Sequence, residues 1–421
     1  MSTILTATAS ACKRMESMLR NSLFVGVFLL LYSKMEDLWL ESCSLSLYQK
    51  IRQPSLRRSR ILDRGLFSPL VVVLAFLLFM ALSNYAVSPM TRFTIALGLL
   101  SFTIFALLPQ KSKRIENTVA FDTGSIMAVG VVIFLTGLFF AFLSVAHVGG
   151  IPLLRPSLRY MLSPRLSIPS FLLIPALAIL VSGFAEMVKN GQLEYERARF
   201  RAIVLTAACI LPLAALGYRT PVIAVLMVVA VIGYYTRLFS VVEILGVSLL
   251  AFLLIVVVGY YRASAEYAWS FSPLALLSVR ANFTMSIFDL LVELGGLTGV
   301  THGGLLRSMA PASELGPRFI IASLISWRPG ITITATLLGP LVVDFGTLGV
   351  FFGMSALGGV LGLGNRLLQG GHAVYTGIYA LLISYAIIGV ETGIIDLIVV
   401  GYFLLAACLY TLNLFKVKVR L

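Results

Sequence analysis

Residues 124–146 read GSIMAVGVVIFLTGLFFAFLSVA and contain no charged side chain. About 20 apolar residues in a helix cross the roughly 30 Å hydrocarbon core of a bilayer, so this stretch predicts a transmembrane helix. Similar stretches recur along the chain, which is 59% hydrophobic and 12% charged, with a mean hydropathy of +0.98. The sequence therefore predicts an all-α, polytopic integral membrane protein with about ten transmembrane helices and one long outer loop. The predicted spans are residues 66–86, 93–109, 124–146, 168–188, 202–217, 220–236, 241–260, 337–363, 373–390 and 392–414.

These spans divide the chain into five parts. They are a basic, interfacial N-terminal segment (1–65), transmembrane helices one to seven (66–260), an outer loop with an amphipathic helix (261–336), transmembrane helices eight to ten (337–415) and a basic inner tail (416–421).

The N-terminal segment contains a short apolar stretch at residues 22–32 (SLFVGVFLLLY), which resembles the core of a signal peptide. No small-residue cleavage site follows, and Lys34, Glu36 and Asp37 interrupt the pattern. Eleven apolar residues are also too few to cross a membrane comfortably. We expect an interfacial or loosely attached segment, or a start codon chosen too early.

The charged residues predict the orientation of the bundle. Alternate connections between the spans are basic, which places both ends of a multi-pass cell-membrane protein in the cytoplasm. All eight lysines then lie on the inner side, whereas ten arginines lie outside. Guanidinium binds phosphate oxygens in a bidentate manner and is less strongly hydrated than ammonium, so the outer face is suited to hold phosphate. The ten arginines are Arg92, Arg155, Arg159, Arg165, Arg219, Arg262, Arg280, Arg307, Arg318 and Arg328.

The long segment of residues 261–336 is the first candidate region for chemistry. Within it, residues 286–300 carry Asp289 and Glu293 four positions apart beside several apolar residues. This pattern predicts an amphipathic helix on the membrane surface. The alternative is an eleventh crossing with two buried acids, which would be costly at mid-bilayer.

Three arginines in shorter outer connections are candidates for substrate binding. Arg155 and Arg159 follow Gly149 and Gly150, and they could share a face if a helical turn starts near Pro156. Arg219 lies in a hairpin so short that it must occupy the outer mouth of two adjacent spans. The alternative is that each arginine binds lipid headgroups at the membrane interface.

The long loop and the next helix supply the catalytic candidates. His302 is followed by two glycines and Arg307, and its imidazole could act as a general base for an attacking hydroxyl. The alternative is that His302 is simply exposed to solvent and has no catalytic role. Arg328 lies near the end of the loop, and it and Arg307 are further candidates for substrate binding. Asp344 could be a base, a packing group or, as we prefer, a partner for an outer arginine.

Taken in order, four motifs resemble the oligosaccharide repeat unit polymerases, which are Wzy-type integral membrane polymerases related in plan to the O-antigen ligases. The motifs are GGIPLLR at 149–155, GYRT at 217–220, His-Gly-Gly at 302–304 with the following Pro311, and LGPLVVDFGTLGVFFG at 338–353. The resemblance covers roughly residues 66–414.

The resemblance implies a helical membrane glycosyltransferase that joins lipid-pyrophosphate-linked oligosaccharides on the outer face, with arginines on the pyrophosphate. It implies no cofactor and no metal, and the four cysteines show no metal-ligand spacing. By this analogy Arg155, Arg159 and Arg219 bind the anion, and His302 corresponds to the outer-loop histidine of the ligases. The expected partners are the polyprenyl-pyrophosphate-linked oligosaccharide, membrane lipids and a candidate chain-length regulator.

Three other functions fit the sequence less well. The net charge of +14 could indicate nucleic acid, but the basic runs lie beside spans, where they set orientation. Multi-span transferases that use polyprenyl-monophosphate sugars place acids in the first outer loop, whereas residues 83–92 contain none. A flippase or transporter of lipid-linked oligosaccharides needs charge along its path, and the central thirds of these spans carry almost none.

Overall fold

The structure is a computed structural model that describes residues 23–42, 65–108, 119–120, 122–267, 272–310, 316–325, 333–368, 372–414 and 419–420. Two short strands, β1 (Val119–Ala120) and β2 (Val419–Arg420), pair in parallel. The helices are α1 (Leu23–Glu41), α2 (Leu70–Leu82), α3 (Pro89–Leu107), α4 (Thr123–Val148), α5 (Pro156–Arg159), α6 (Pro164–Ser167), α7 (Leu173–Lys189, preceded by a 3₁₀ turn, Ile168–Leu172), α8 (Tyr195–Ala215), α9 (Arg219–Tyr235), α10 (Val241–Tyr267), α11 (Pro273–Gly295), α12 (Gly304–Ser308), α13 (Pro317–Ile325), α14 (Gly339–Leu367), α15 (Ala373–Thr392) and α16 (Leu397–Leu414).

The predicted class is confirmed. In the described residues, seven helices are long and apolar enough to cross a membrane, and four more apolar segments are shorter. Six of the seven coincide with predicted spans, and the four shorter ones, in α2, α9, α10 and α16, coincide with the remaining four predictions. The seventh is α11, which the sequence analysis placed in the outer loop.

The core is centred on α15, the most enclosed of the seven long apolar helices, whereas α4 is the least enclosed. Helix α15 packs against α2, α7 and α9. Nearly every residue of α9 from Ala224 to Tyr234 is buried. A helix that is apolar on all sides belongs inside a bundle, so the absence of a polar face on α9 is explained by its position.

Helices α3 and α14 run parallel and in close contact. An added Cβ at Gly358 or Gly362 would collide with the backbone carbonyl oxygens of Phe102 and Ala106. Small residues let membrane helices approach closely enough for backbone contacts to form. These two glycines therefore fix the register of α14 against α3.

The described connections lie at two ends of the bundle. We call one of them the loop end: it contains the turns at 83–88, 149–163 and 216–218 and the chain between α11 and α14. It also contains the turn at 393–396, because Gly393 lies against Thr336 and Pro340. The loop end is the end for which the sequence predicts the outer side.

Helix α11 differs from the predicted surface helix in its limits, because it begins at Pro273 rather than at residue 286 and ends at Gly295. The Ser272 hydroxyl accepts a hydrogen bond from the Ala275 amide at 3.2 Å, which caps the start of the helix. Gly296, with φ 51°, ends it.

The polar contacts of α11 lie at the loop end. The Asn282 side-chain oxygen accepts from the Ser83 hydroxyl at 3.0 Å, and the Asp289 carboxylate accepts from the Ser88 amide at 3.1 Å. In the described residues, every hydrogen bond that joins a side chain of α11 to another helix or turn lies at the loop end. The length and composition of α11 would nevertheless permit a crossing. The contacts favour a helix lying across the loop end, so the surface position remains our expectation.

The described residues between α11 and α14 pack as a layer rather than extending as a loop. A small apolar cluster joins α11, α12, α13 and α14 at the loop end. Its buried members include Leu291, Leu305, Ile321, Val343 and Ile395. This layer holds the described residues of the predicted loop in fixed positions.

The described part of the N-terminal segment is attached to the bundle. The Arg201 guanidinium pairs with the buried Glu36 carboxylate at 3.3 Å. The rings of Tyr32 and Trp39 pack on Phe200 with centroids 5.8 Å and 6.0 Å away. These contacts argue against loose attachment for residues 23–41. The rest of the predicted N-terminal segment lies outside the described residues, apart from Ser42 and Gly65.

Candidate functional site

Arg219 meets a carboxylate that the sequence analysis did not single out. Its Nη2 lies 3.4 Å from Oε1 of Glu391, at the end of α15. The Nε atom of Arg280 donates to the same oxygen at 3.0 Å, and Arg280 Nη2 donates to the Thr334 hydroxyl at 3.1 Å. Two guanidinium groups from α9 and α11 therefore share one carboxylate at the loop end.

Arg159 lies beside this group. Its guanidinium carbon is 5.3 Å from the ring centroid of Tyr218, the residue that precedes Arg219. The amide of Leu153 donates to the carbonyl of Ala215 at 3.1 Å, which ties the two connections together. The structure thus brings Arg159 to the turn that precedes Arg219, which is distant from it in the sequence.

Arg155 is exposed and forms the N-cap of α5. A short helix does start at Pro156, which meets the condition set for Arg155 and Arg159 to share a face, because proline is favoured in the first turn, where no amide partner is needed. Arg307, at the end of α12, is also exposed. The remaining candidate, Arg328, lies outside the described residues.

Helix α14 is interrupted at Gly346, which has φ 62° and ψ −155°. This conformation is essentially restricted to glycine. The interruption lets the chain that follows α11 lie against α14. The Val343 carbonyl accepts from the Val300 amide at 2.8 Å, and the Thr347 amide donates to the Gly296 carbonyl at 3.0 Å. The backbone groups freed by the interruption are therefore satisfied.

Asp344 lies just before this interruption and is buried. Its carboxylate accepts from the Thr301 hydroxyl at 2.5 Å and from the amides of Leu305 and Leu306 at 2.8 Å and 2.9 Å. In the described part of the chain these three groups, and no arginine, are its hydrogen-bond partners. The pairing with arginine that we preferred is replaced by a cap on α12, because Gly346 brings the loop within reach.

His302 lies between these anchored residues. Its side chain is exposed, and its backbone has φ 46°, an uncommon conformation for a residue other than glycine. Thr301 on one side and Leu305 on the other are both bonded to Asp344. The loop therefore presents His302 to the surroundings from a fixed backbone.

An apolar groove of about 540 Å³ runs along α14 beside this loop. The ring of Phe345, which lines it, lies close to Gly303, the neighbour of His302. The other lining residues include Thr298, Leu341, Leu348, Phe352 and Gly353.

The two groups of side chains form separate parts of the loop end. Arg280 lies fifteen residues before the end of α11, which corresponds to about 22 Å at a rise of 1.5 Å per residue. His302 and Asp344 lie near that far end, where Gly299 approaches the backbone of Asp344. Among the described residues, no three His, Cys, Asp or Glu side chains form a group that could hold a metal ion.

Sequence reasoning did not identify Glu391 and named Arg280 only as one of the outer arginines. A signal was present, because Glu391 follows an apolar span directly and so lies at the end with the arginines. Its partners could not be deduced, since they come from helices distant in the sequence.

Comparison with known proteins identifies the family. The chain is 30% identical over 295 residues to the uncharacterized protein MJ0419 of Methanocaldococcus jannaschii, covering 69% of this chain and 78% of that protein. It is 28% identical over 208 residues to the uncharacterized protein MJ0420 of the same organism, covering 49% and 50% of the two chains. No solved structure matches. The family described as "Putative O-antigen polymerase" matches residues 65–403, most of the chain, and the protein therefore belongs to the O-antigen polymerase family.

Proposed function

We propose that the protein polymerises oligosaccharide repeat units carried on a polyprenyl pyrophosphate, with the loop end on the outer face of the cell membrane and both chain ends in the cytoplasm. The observation that carries the proposal is that Arg159 packs on Tyr218, the residue directly before Arg219, so that two of the predicted arginines belong to one turn region of the loop end. Family membership supports the same activity.

The reaction is a glycosyl transfer. A sugar hydroxyl of one lipid-linked unit attacks the anomeric carbon of another, a carbon–oxygen bond forms, and the bond to the lipid pyrophosphate breaks. The hydroxyl proton passes to a base, and negative charge builds on the leaving pyrophosphate. Fixed guanidinium groups stabilise that charge in the transition state more than in the ground state, which is the requirement for catalysis.

We assign the roles accordingly. Arg159 and Arg219 bind the pyrophosphate, and the exposed Arg155 and Arg307, together with Arg328, make further contacts to phosphate. His302 is our candidate for accepting the hydroxyl proton; because the far end of α11 lies about 22 Å from Arg280, this role requires the two parts of the loop end to approach each other around the substrate. Asp344 is a positioning residue that holds the loop of His302 through Thr301, Leu305 and Leu306.

The apolar groove along α14 supports a lipid-linked substrate. It lies beside the His302 loop, and most of its lining side chains are hydrophobic. Its volume of about 540 Å³ would accommodate several isoprene units, since ligand pockets of 300–1,000 Å³ bury most of a small ligand. We propose that the polyprenyl chain enters the site here.

The experiment is performed in cells that lack the gene. Surface glycan is separated on a gel after complementation with wild type, Arg219→Ala or His302→Ala. We expect single repeat units without the gene and a ladder only with wild type. An undiminished ladder without the gene would refute the polymerase. Intracellular build-up of lipid-linked units would instead favour a flippase. A chain-length regulator is tested separately: cells that keep this gene but lack a second envelope protein would make glycan of a different modal length.

A further inference from the structure

We propose that Arg280 is a second guanidinium of the pyrophosphate site and that Glu391 is the positioning residue that holds Arg219 and Arg280 side by side. The identity of the ligand rests on the function proposed above. The arrangement of the three residues does not.

The three side chains come from three helices that meet at the loop end. Arg219 is the first residue of α9, Arg280 lies in the second turn of α11, and Glu391 lies in the last turn of α15. Their side chains are 26%, 40% and 29% exposed, so each is partly enclosed and still accessible to a ligand. The site is therefore an accessible patch that is partly screened from water.

The sharing of one carboxylate oxygen by two arginines distinguishes this group from an ordinary ion pair. Two guanidinium groups meet one carboxylate on the single oxygen Oε1. Two like charges this close would repel each other without the carboxylate between them. Glu391 thus allows two guanidinium groups to remain adjacent.

The donors of Arg280 match a ligand with several acceptor oxygens. A guanidinium group carries five N–H donors in a rigid plane. The contacts of Arg280 in the described residues use Nε, for Glu391, and Nη2, for Thr334. These contacts fix the plane of the guanidinium group and leave Nη1 for a ligand. A pyrophosphate presents oxygens on two adjacent phosphorus atoms, so two adjacent guanidinium groups could each take one phosphoryl group.

Arg159 extends the same patch. Its guanidinium packs on the ring of Tyr218, directly before Arg219. Stacking on an aromatic ring leaves the charge of a guanidinium group unchanged. Arg159 therefore adds a positive charge near the turn that precedes Arg219.

The alternative is that Glu391 and its arginines only tie α9, α11 and α15 together. The protein offers a suitable control for such a role. Arg197 pairs with Glu194 at 3.3 Å within a turn of the chain at the opposite end of the bundle, and these side chains are 45% and 62% exposed. Arg197→Ala therefore removes an arginine–carboxylate pair that has no part in the proposed site.

The test uses the full-length protein in lipid nanodiscs with inorganic pyrophosphate as the probe, titrated by calorimetry. We expect Arg280→Ala and Arg219→Ala each to raise the Kd about tenfold, the effect of losing a charge-assisted hydrogen bond, and Arg197→Ala to leave it unchanged. Arg280→Lys keeps the charge but loses the planar set of donors, so its Kd for pyrophosphate should lie between those of wild type and Arg280→Ala. Melting temperatures identify any variant that has lost its fold, and Arg280→Lys then decides the question.

Glu391→Gln tests positioning. Without the competing carboxylate, pyrophosphate should bind at least as tightly as in wild type, while kcat falls with little change in KM because the two guanidinium groups are no longer held together. A role confined to holding the helices would give equal pyrophosphate affinity in Arg280→Ala and wild type. That result, or a wild-type protein that does not bind pyrophosphate, would overturn the inference.

A failure of the proposed function would give different results from a failure of this inference. If Arg280→Ala binds pyrophosphate weakly but wild-type protein extends no lipid-linked glycan, the anion site stands and the polymerase fails. If wild type polymerises and Arg280→Ala retains both full rate and full affinity, the polymerase stands and the inference fails.

Discussion

The carboxylate of Asp344 accepts a hydrogen bond from the backbone amide of Leu305 at 2.8 Å, which joins the interrupted helix α14 to the loop that carries His302. Asp344 is 4% exposed, and its partners lie on both sides of His302 in the sequence. A buried carboxylate with three donors is a rigid anchor, because losing it would leave buried amides without partners.

Asp344→Asn should lower the polymerisation rate because the loop that carries His302 is no longer held in position, and not because Asp344 itself takes part in the reaction. The amide cannot reproduce three accepted hydrogen bonds, so stability should fall by about 1–3 kcal/mol. His302→Ala alone should lower kcat by about 10² to 10⁴. The double variant should be no slower than His302→Ala. If the rate losses of the two single variants instead multiply in the double variant, Asp344 acts independently of His302.

Arg219→Lys should not restore the activity lost in Arg219→Ala. Removing one fixed charge stabiliser typically costs about 10² to 10³ in rate, and the planar fork of guanidinium is what matches phosphate oxygens. Rates of glycan extension by purified protein measure this, with Arg197→Lys at the opposite end as the matched control. Full activity in the lysine variant would show that charge alone suffices.

Gly346→Ala should destabilise the protein by about 1–3 kcal/mol, because φ 62° with ψ −155° is a conformation that a residue with Cβ rarely adopts. The added Cβ would also collide with the backbone of Leu297. Gly359→Ala in the same helix is the control, since nothing lies within 4 Å of its Cβ position. Thermal unfolding in detergent compares them. Equal melting temperatures would mean that the interruption is not under strain.

Much of the fold was predictable because a membrane limits the choices. Apolar stretches long enough to span it must be helical, so each of the ten predicted spans contains a helix. The glycines and proline of residues 339–346 predicted a break near the outer end of this helix, and α14 is interrupted at Gly346. The sequence does not show that the chain after α11 packs against this break. The start of α11 was predicted too late, since residues 273–285 carry Arg280 and Asn282, which are satisfied by partners on other helices.

Stability should fall as the pH drops below neutrality because of His372, just before α15. Burial lowers its pKa below the ordinary value of 6.5; Glu186 opposes this shift, and Lys189 adds to it. Its Nδ1 accepts from the Val374 amide at 3.3 Å, and Thr123 faces its other nitrogen. The folded protein thus prefers the neutral imidazole, so the stabilisation is complete above pH 6.5 and is lost as the pH falls toward the lowered pKa.

His372→Asn tests this, since asparagine can cap a helix but does not titrate in this range. The melting temperature of wild type should decline more steeply between pH 7.5 and 5 than that of the variant. Parallel declines would assign the pH dependence to other groups.

Divalent cations should not be needed for polymerisation. In the proposed mechanism the charge that builds on the leaving pyrophosphate is neutralised by Arg159, Arg219 and Arg280, a role that metal ions fill in other transferases. Treatment with EDTA should leave the rate within about twofold of the untreated enzyme, a range far smaller than the effect of removing one arginine. A large loss, restored by Mg²⁺ or Mn²⁺, would contradict this part of the account.

The candidate site was only partly predictable. The presence of arginine without lysine at one end predicted a phosphate site, which stays a prediction, and the short hairpin correctly placed Arg219 at a helix mouth. The sequence could not show that Arg159 packs on Tyr218 or that Glu391 receives two arginines, because each contact joins elements far apart in the chain. Asp344 was singled out for its position in an apolar helix, but its partners are backbone amides, which a sequence pattern does not reveal.

The most direct test of the central claim uses purified protein and a purified polyprenyl-pyrophosphate-linked repeat unit in detergent, where no sealed membrane exists. The account predicts a ladder of products that differ by one repeat unit, with release of polyprenyl pyrophosphate, and no ladder from Arg219→Ala. Unchanged single repeat units with folded wild-type protein, together with transfer of the lipid across the membrane of sealed vesicles, would contradict it.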